Sequence, residues 1–249
     1  MNGLLLHVGA DTSNFETTGI CGPIFEGGRF EFVPIREIKD TAENRTYDSL
    51  PSRNSENPLS VYFPGDLDKH HPHYDPDPEG FTYGEPPDAR RGKVVSKLQQ
   101  GDYLFFVSPL VACSLEGYSN RGRSAISRLQ RHRMAKYVVG YYKIERVLKV
   151  SARSLPTLPL NDELKARVSQ NAHCKRRTRE DFVCVVGETE DRKSMLLTKA
   201  IQLTNAGRPF DPTEQGRLIY GDKRFGRGYK FLGEDSVRNL LRLISTSSN

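Results

Sequence analysis

The stretch "YVVGYYKIERVLKV", Tyr137–Val150, decides the fold class of this 249-residue chain. It is rich in β-branched and aromatic residues, which favour β-strands, and it is long for a single strand. A glycine inside such a run is typical of a bend or a bulge, which we expect near Gly140. Tyr103–Val107, "YLFFV", predicts a second apolar strand shortly before it. A sheet built around these two segments is the basis of the fold.

Further strand patterns lie on both sides of this pair. Residues 3–8, "GLLLHV", predict a buried strand, and residues 28–35, "GRFEFVPI", alternate apolar and polar side chains as a half-buried strand does. Residues 181–203 predict two strands around a polar turn. The helices are short: one passes through Val94, Val95 and Leu98 and stops at Gly101, one is capped by Asn161, and one is the amphipathic C-terminal helix with Val237, Leu240, Leu241 and Ile244 on one face.

These elements show no alternation of strand, helix and strand. The sequence therefore predicts an α+β fold, with a mixed, mostly antiparallel, barrel-like sheet and short flanking helices, in a single domain over residues 1–249. One segment breaks the pattern. From Lys39 to Asp88 periodicity disappears, and eight of the fifteen prolines fall between Pro51 and Pro87. Residues 39–90 are too long for an ordinary loop, so we expect either a functional excursion or a partly disordered segment.

Charge is distributed unevenly along the chain. The net charge is +6 and the isoelectric point about 9.1, and residues 121–179 hold sixteen Lys and Arg against three Asp and Glu. A basic face of this kind attracts polyanions, so nucleic acid is the expected partner, although charged residues also simply solvate surfaces. The four cysteines are scattered, which indicates neither a thiolate zinc site nor a disulfide framework. No apolar run is long enough to span a membrane and no signal peptide is evident, so we expect a cytoplasmic protein without membrane contact.

The segment "HHPHYDPDPEGFTYG", residues 70–84, is the strongest candidate for a site. Residues that precede proline favour extended backbone, which would place His73, Asp75 and Asp77 on one side as acid/base or base-reading groups. Because extended backbone leaves these side chains few internal partners, we expect them to act on a ligand rather than to stabilise the fold. Imidazole and carboxylate also bind metals, but the run lacks a helical H-x-x-x-H face, so we predict no metal and no cofactor. A solvated acidic loop is the alternative.

Two other regions carry candidate residues. Asp11 and Ser13 follow the first strand, where such side chains cap helices or hold ligands; the P-loop lysine and the G-x-G-x-x-G pattern are absent there. Two basic clusters could bind phosphates. The candidates in the first cluster are Asn120, Arg121, Arg123, Arg128 and Arg131, and those in the second are Asn171, His173 and Arg176.

A family resemblance rests on "ADTS", "GPIFEGGRFEFVPI", "HYDPD" with "TYG", "GDYLFFVSPL", "YVVGYYKIERVL", "NAHCKRR" and "VVGETEDRKSMLLTKAIQL". In this order the motifs resemble the nucleotide modification associated domain 3 family of phage and prokaryotic proteins. The strand pair is also similar to that of PUA-like barrels, the class of the ASCH, EVE and YTH domains. The resemblance implies a role with modified nucleotides in DNA or RNA. The family-like positions are Asp11, Ser13, His73, Asp75, Asp77, Tyr83, Gly84, Asn171 and His173; Pro78 departs from the bulky residue that the family pattern prefers.

Three functions follow as alternatives. The first is recognition or processing of a modified nucleotide in a His/Asp pocket flanked by a basic surface. Its catalytic candidates are Asp11, His73, Asp75 and Asp77, and Tyr83 joins Ser13 and the basic clusters in binding nucleic acid. The second is a module that binds a modified base without catalysis. The third is a protein-interaction domain whose basic face meets an acidic partner. Whether the protein is an enzyme is left open by the sequence, as is its oligomeric state.

Overall fold

The computed structural model describes residues 1–9, 21–62, 69–113, 133–151, 155–178, 180–190, 193–225 and 228–247. Within these ranges the chain forms twelve strands and five α-helices. The strands are β1 (Gly3–His7), β2 (Gly22–Ile24), β3 (Ile35–Arg36), β4 (Pro72–His73), β5 (Thr82–Glu85), β6 (Tyr103–Ala112), β7 (Met134–Val150), β8 (Phe182–Gly187), β9 (Ser194–Gln202), β10 (Thr204–Asn205), β11 (Arg208–Pro212) and β12 (Tyr229–Leu232). The α-helices are α1 (Arg90–Val95), α2 (Asp162–Ser169), α3 (Ala172–Lys175), α4 (Glu214–Tyr220) and α5 (Glu234–Ser247), and short 3-10 helices lie at Glu26–Gly28, Leu59–Tyr62 and Leu155–Thr157.

An eight-stranded sheet in the order β12-β1-β6-β7-β8-β5 forms the centre of the fold, with β2 beside β6 and β9 beside β7. Strands β1 and β2 run parallel to β6, and the other pairings of this sheet are antiparallel. The predicted mixed, mostly antiparallel α+β fold is therefore confirmed. Among the described strands β12 and β5 end the order and do not pair with each other, so a closed barrel is not confirmed.

Strand β7 pairs with different neighbours along its two halves. Its first half pairs with β6 and β9, and its second half pairs with β8. Phe106 lies opposite Gly140 while Val107 lies opposite Val138, so Val139 is an extra residue and the predicted bulge near Gly140 is confirmed. A Cβ atom at Gly140 would lie 2.8 Å from the carbonyl oxygen of Met195, which explains why glycine stands at this close approach.

Residues 28–35 do not form the strand that their alternation predicts. Only β3 is a strand there, and Phe30 makes an isolated bridge with Ile24. The reason is that both sides of the segment are covered. Phe30 joins the main core and Val33 joins a second apolar cluster, while the carboxylate of Glu31 between them is fully buried. The alternation therefore reflects two buried sides rather than one solvated side.

Part of the proline-rich excursion packs around an apolar cluster. Its apolar cluster holds Tyr47, Leu50, Leu59 and Tyr62 together with Phe25 and Val33 from outside the excursion. The hydroxyl of Tyr47 donates to the carbonyl of Pro34 at 2.8 Å. The carboxylate of Glu31 accepts hydrogen bonds from Ser52 Oγ and from the backbone N–H groups of Arg53 and Asn54 at 2.6–2.9 Å. These contacts fix the first part of the excursion to residues 25–34.

The predicted helices are present near their expected positions. The side chain of Asn161 caps α2 by accepting from the N–H of Leu164, and α5 buries Val237, Leu240 and Ile244. None of the helices in the described part of the chain is both long enough and apolar enough to cross a membrane.

Candidate functional site

A cavity of about 450 Å³ opens where β4, β5 and α3 meet the end of β1. Its lining includes His73 from β4, Asp75 just after it, Tyr83 and Gly84 from β5, and His173 from α3. The elements that carry these side chains lie at the β5 edge of the sheet and beside it, in the excursion and in α3. The sheet thus acts as the support, and the polar groups come from the excursion and from α3.

The run that follows His73 is not extended throughout. Asp77 bridges to Thr82, and residues 78–81 form a turn in which Phe81 has a φ of 50°. The bridge to Thr82 and this turn fix Asp77 in a position away from His73 and Asp75. Asp77 Oδ1 accepts from the N–H of Glu79 at 2.9 Å, and the residue lines a different cavity of about 930 Å³. The expectation that all three side chains share one side is therefore wrong for Asp77.

His73, Asp75 and His173 form the centre of the cavity. Asp75 Oδ2 lies 3.8 Å from His73 Nε2 and 3.6 Å from His173 Nε2. The two rings meet edge to face with their centroids 5.0 Å apart, and one nitrogen or oxygen from each of the three side chains lies within 4.8 Å of the other two. All three side chains are buried. Two imidazoles and one carboxylate therefore converge on a common point, from segments that are far apart in sequence.

Asp75 has internal partners, contrary to the expectation from sequence. The backbone N–H of Gly84 donates to both of its oxygens, at 2.8 and 3.1 Å. Burial raises the pKa of Asp75 well above its usual range, although the hydrogen bond from Gly84 opposes this shift. Burial likewise lowers the pKa of His173 to about 2, so this imidazole is neutral.

Glu37 orients His73 from behind. Its Oε2 lies 2.6 Å from Nδ1 of His73 and 3.0 Å from Nε of Arg176. Burial alone would raise the pKa of Glu37, but hydrogen bonds from His73 and Arg176 outweigh it and lower the pKa to about 2. The ionised Glu37 accepts a hydrogen bond from the Nδ1–H group of His73, which directs Nε2 of this ring towards the cavity.

Helix α3 is held in place by Asn171, which precedes it. The Asn171 side chain accepts from the N–H of His173 at 3.0 Å and donates to Thr82 Oγ1 at 3.1 Å, so it ties α3 to β5. The His173 ring stacks on Phe182, with centroids 5.3 Å apart. A Cβ atom at Gly84 would lie 2.6 Å from Cδ2 of His173, which explains the need for glycine at this position.

Charged groups surround the mouth of the cavity. The hydroxyl of Tyr83 donates to Glu85 Oε1, and Arg91 Nη1 lies 3.6 Å from the same oxygen. The Arg91 side chain is 41% exposed, so it can reach a bound anion. Lys39 also lines the cavity while it contacts Glu180. The mouth therefore offers cations for a phosphate next to carboxylates that can accept hydrogen bonds.

The structure sorts the residues proposed from sequence into four groups. His73, Asp75, Tyr83, His173 and Arg176 line the cavity, Asn171 supports α3 without lining it, and Asp77 lies in the other cavity. Asp11, Ser13, Asn120, Arg121, Arg123, Arg128 and Arg131 lie outside the described residues.

Sequence reasoning missed His7, Glu37, Lys39, Glu85 and Arg91, which line or support the cavity. His7 carried a signal, because it is the one polar residue in the buried run of β1. Its ring stacks on Phe225, with centroids 5.0 Å apart, at the cavity wall. Glu37 carried no such signal, since its role depends on its pairing with His73 in the folded chain.

Fold and cavity together define a mixed α+β protein with a buried histidine–carboxylate centre in a cavity of small-ligand size. The chain belongs to the nucleotide modification associated domain 3 family, whose model matches residues 2–217. That range contains the three central side chains, Glu37 and Arg176, and it ends within α4. No curated protein and no solved structure matches the chain. The family resemblance is thus confirmed, whereas the likeness to PUA-like barrels stays a prediction.

Proposed function

We propose that this protein is an enzyme that acts on a modified nucleotide in DNA or RNA, bound in the cavity between β4, β5 and α3. One observation carries the proposal: His73, Asp75 and His173 converge in a single cavity although they come from separate segments. The family name, which refers to nucleotide modification, supports the choice of ligand.

The energetic cost of this arrangement argues for a functional role. Burying ionisable groups side by side is unfavourable, and an apolar core at the same place would stabilise the fold better. Groups whose pKa values are strongly shifted by burial and by close partners cluster at functional sites. Asp75 and His173 both fit this description. A role in chemistry accounts for side chains whose burial the fold does not need.

The size and polarity of the cavity fit one nucleotide. Its volume of about 450 Å³ falls within the range of roughly 300–1,000 Å³ that small-molecule sites occupy. Arg91 at the mouth can hold a phosphate, and the carboxylate of Glu85 beside it can accept hydrogen bonds from an amino group of a base. In this arrangement the nucleotide lies with its reacting part towards the centre formed by His73, Asp75 and His173.

A binding module without catalysis is the second candidate. The hydrogen bonds of Asp75 to the backbone of β5 favour it, because they give this carboxylate a part in shaping the cavity. The two candidates differ in one respect: an enzyme changes the nucleotide, whereas a module binds it and leaves it intact.

The test uses the whole chain with DNA and RNA oligonucleotides that carry different modified bases, and with the matching mononucleotides. After incubation with divalent metal ions present, the nucleic acid is digested and its nucleosides are analysed by mass spectrometry. We expect one modified nucleoside to change mass with the parent protein and to remain unchanged with Asp75→Asn. Asp77→Asn is the matched control, because this buried aspartate lies two positions away and lines the other cavity.

The outcomes separate the candidates. A change of mass that needs Asp75 supports the enzyme. Binding of one oligonucleotide without any change of mass, lost in Asp75→Asn, supports the binding module instead. Absence of both binding and change across the panel contradicts both candidates. A thermal melt of each variant shows whether it is folded.

A further inference from the structure

We propose that His73, Asp75 and His173 bind one divalent ion of a first-row transition metal, such as Zn²⁺ or Fe²⁺, at the floor of the cavity. As an account of catalysis this rests on the proposed function. Binding of the ion itself can be tested on the protein without any nucleotide.

The spacing of the three groups is the first argument. The separations of 3.6 and 3.8 Å between Asp75 Oδ2 and the two Nε2 atoms are too long for direct hydrogen bonds. Two ligands of a transition metal, each about 2.0–2.2 Å from the ion, lie roughly 2.8–3.6 Å apart. The third pair of ligand atoms, one nitrogen from each ring, lies within 4.8 Å. The side chains therefore face one another across a gap that closes around an ion after shifts of up to about 1 Å.

Charge balance is the second argument. The Asp75 carboxylate is buried, and within the described part of the chain its hydrogen bonds come from one backbone N–H, that of Gly84. The guanidinium of Arg176 is close, but Nε and Nη2 of this side chain already donate to Glu37. A divalent ion between the carboxylate and the imidazoles would stabilise the ionised form of this buried carboxylate.

The partner of His73 is the third argument. A histidine that binds a metal commonly donates its other ring N–H to a carboxylate, which fixes the ring and strengthens the ligand. Glu37 occupies this position, 2.6 Å from Nδ1 of His73, so Nε2 is presented to the ion. Nothing in the sequence pattern of residues 70–84 would have revealed this support, nor the third ligand, which α3 contributes.

Two imidazoles and one carboxylate select the class of metal. Imidazole ligands suit Zn²⁺ and Fe²⁺, whereas Mg²⁺ and Ca²⁺ prefer oxygen ligands. Three protein ligands also leave coordination positions for water or for an oxygen of the nucleotide, as in catalytic metal sites. The open positions face the cavity, which lies on the same side as Arg91.

One contact has to change when the ion binds. Arg176 Nη1 donates to Nδ1 of His173 at 3.2 Å, which places the proton of this neutral ring on Nε2. Coordination through Nε2 needs the other tautomer, so Arg176 must release His173 and keep its hydrogen bonds to Glu37. Arg176 thereby becomes a residue that weakens metal binding, and its replacement by Gln should strengthen the affinity for Zn²⁺ several-fold.

The experiment uses untagged, chelator-treated full-length protein. Equilibrium dialysis against Zn²⁺, followed by elemental analysis, measures stoichiometry and affinity, and Mg²⁺ serves as the comparison ion. We expect one Zn²⁺ per chain and no comparable binding of Mg²⁺. Asp75→Asn and His173→Gln should each lower the affinity for Zn²⁺ at least ten-fold. His71→Gln and Asp77→Asn are controls from the same segment, because neither side chain lines this cavity.

Two results would overturn the proposal: no Zn²⁺ bound by folded parent protein, or Zn²⁺ binding that survives both Asp75→Asn and His173→Gln. Circular dichroism of each variant establishes that it is folded. Failure of the two proposals can be told apart. A protein that binds Zn²⁺ but neither binds nor alters any nucleotide contradicts the proposed function alone. A protein that binds no Zn²⁺, and that alters a nucleotide equally well with and without Zn²⁺, contradicts the metal site alone.

Discussion

Replacing Gly84 by Ala tests the packing of the site directly. The new Cβ atom would lie 2.6 Å from Cδ2 of His173 and 2.8 Å from Oδ1 of Asn171, whereas carbon atoms in contact normally stay about 3.5–4.0 Å apart. His173 cannot move freely, because it stacks on Phe182 and meets the edge of His73. The ring must therefore shift by about 1 Å, away from the position that faces Asp75.

Two effects of this substitution can be estimated. Overpacking of this kind lowers the free energy of unfolding by about 1–3 kcal/mol, which for a chain of this size lowers the melting temperature by roughly 2–12 °C. The shift of His173 should also lower the affinity for Zn²⁺ at least ten-fold. Thermal melts and equilibrium dialysis measure the two effects. Gly233→Ala is the control, because this glycine is exposed and its Cβ would meet nothing within 4 Å.

A double-mutant cycle with His173→Ala identifies the clash. When the ring is absent, most of the destabilisation caused by Gly84→Ala should disappear, and only the part due to Asn171 should remain. If Gly84→Ala leaves the melting temperature and the Zn²⁺ affinity at the parent values, the close packing of β5 against α3 is refuted. If its cost is the same with and without the His173 ring, the clash lies elsewhere.

Three further predictions concern stability and binding. The pKa of Glu43 is lowered to about 2, because hydrogen bonds from Arg45 and Lys175 outweigh its burial. Glu43 contributes about 3 kcal/mol to the free energy of unfolding above pH 4.5, and this contribution is lost as the pH falls towards 2. Glu43→Gln should therefore reduce the fall in melting temperature over that interval. An unchanged profile of melting temperature against pH contradicts this. Glu31→Ala removes the buried carboxylate that accepts hydrogen bonds from Ser52 and from the backbone N–H groups of Arg53 and Asn54, and it should lower the free energy of unfolding by about 2–5 kcal/mol in urea denaturation. A loss below about 1 kcal/mol would show that the excursion is held by other contacts. The affinity for nucleic acid should fall by roughly one log unit per log unit of salt concentration for each phosphate contacted. An affinity that does not change with salt concentration contradicts binding through a basic surface.

Local patterns predicted the parts of the fold that depend on local physics. β7 and its bulge follow from a β-branched run interrupted by Gly140, and α2 follows from the Asn161 cap. The prediction of a strand over residues 28–35 was wrong, because period-two alternation does not distinguish a half-exposed strand from a segment covered on both sides. Only the folded excursion supplies the second cover.

The candidate site was predicted in part. His73 and Asp75 were identified from their position in a segment with little apolar content. Asp77 was misplaced because the preference of pre-proline residues for extended backbone was given more weight than the turn signal of Pro78 and Gly80. Glu37 could not be predicted, since its role comes from a contact with His73 that depends on the pairing of β3 with β4.

Asn171 shows how a genetic experiment on this protein would mislead. Its side chain ties the first turn of α3 to β5 through His173 and Thr82, yet it does not line the cavity. In a screen for loss of activity, substitutions at Asn171 would score beside those at His173, since both displace the same ring. The phenotype would resemble the loss of a ligand contact. A map of the binding surface drawn from such a screen would therefore be larger than the surface that a bound ligand would touch.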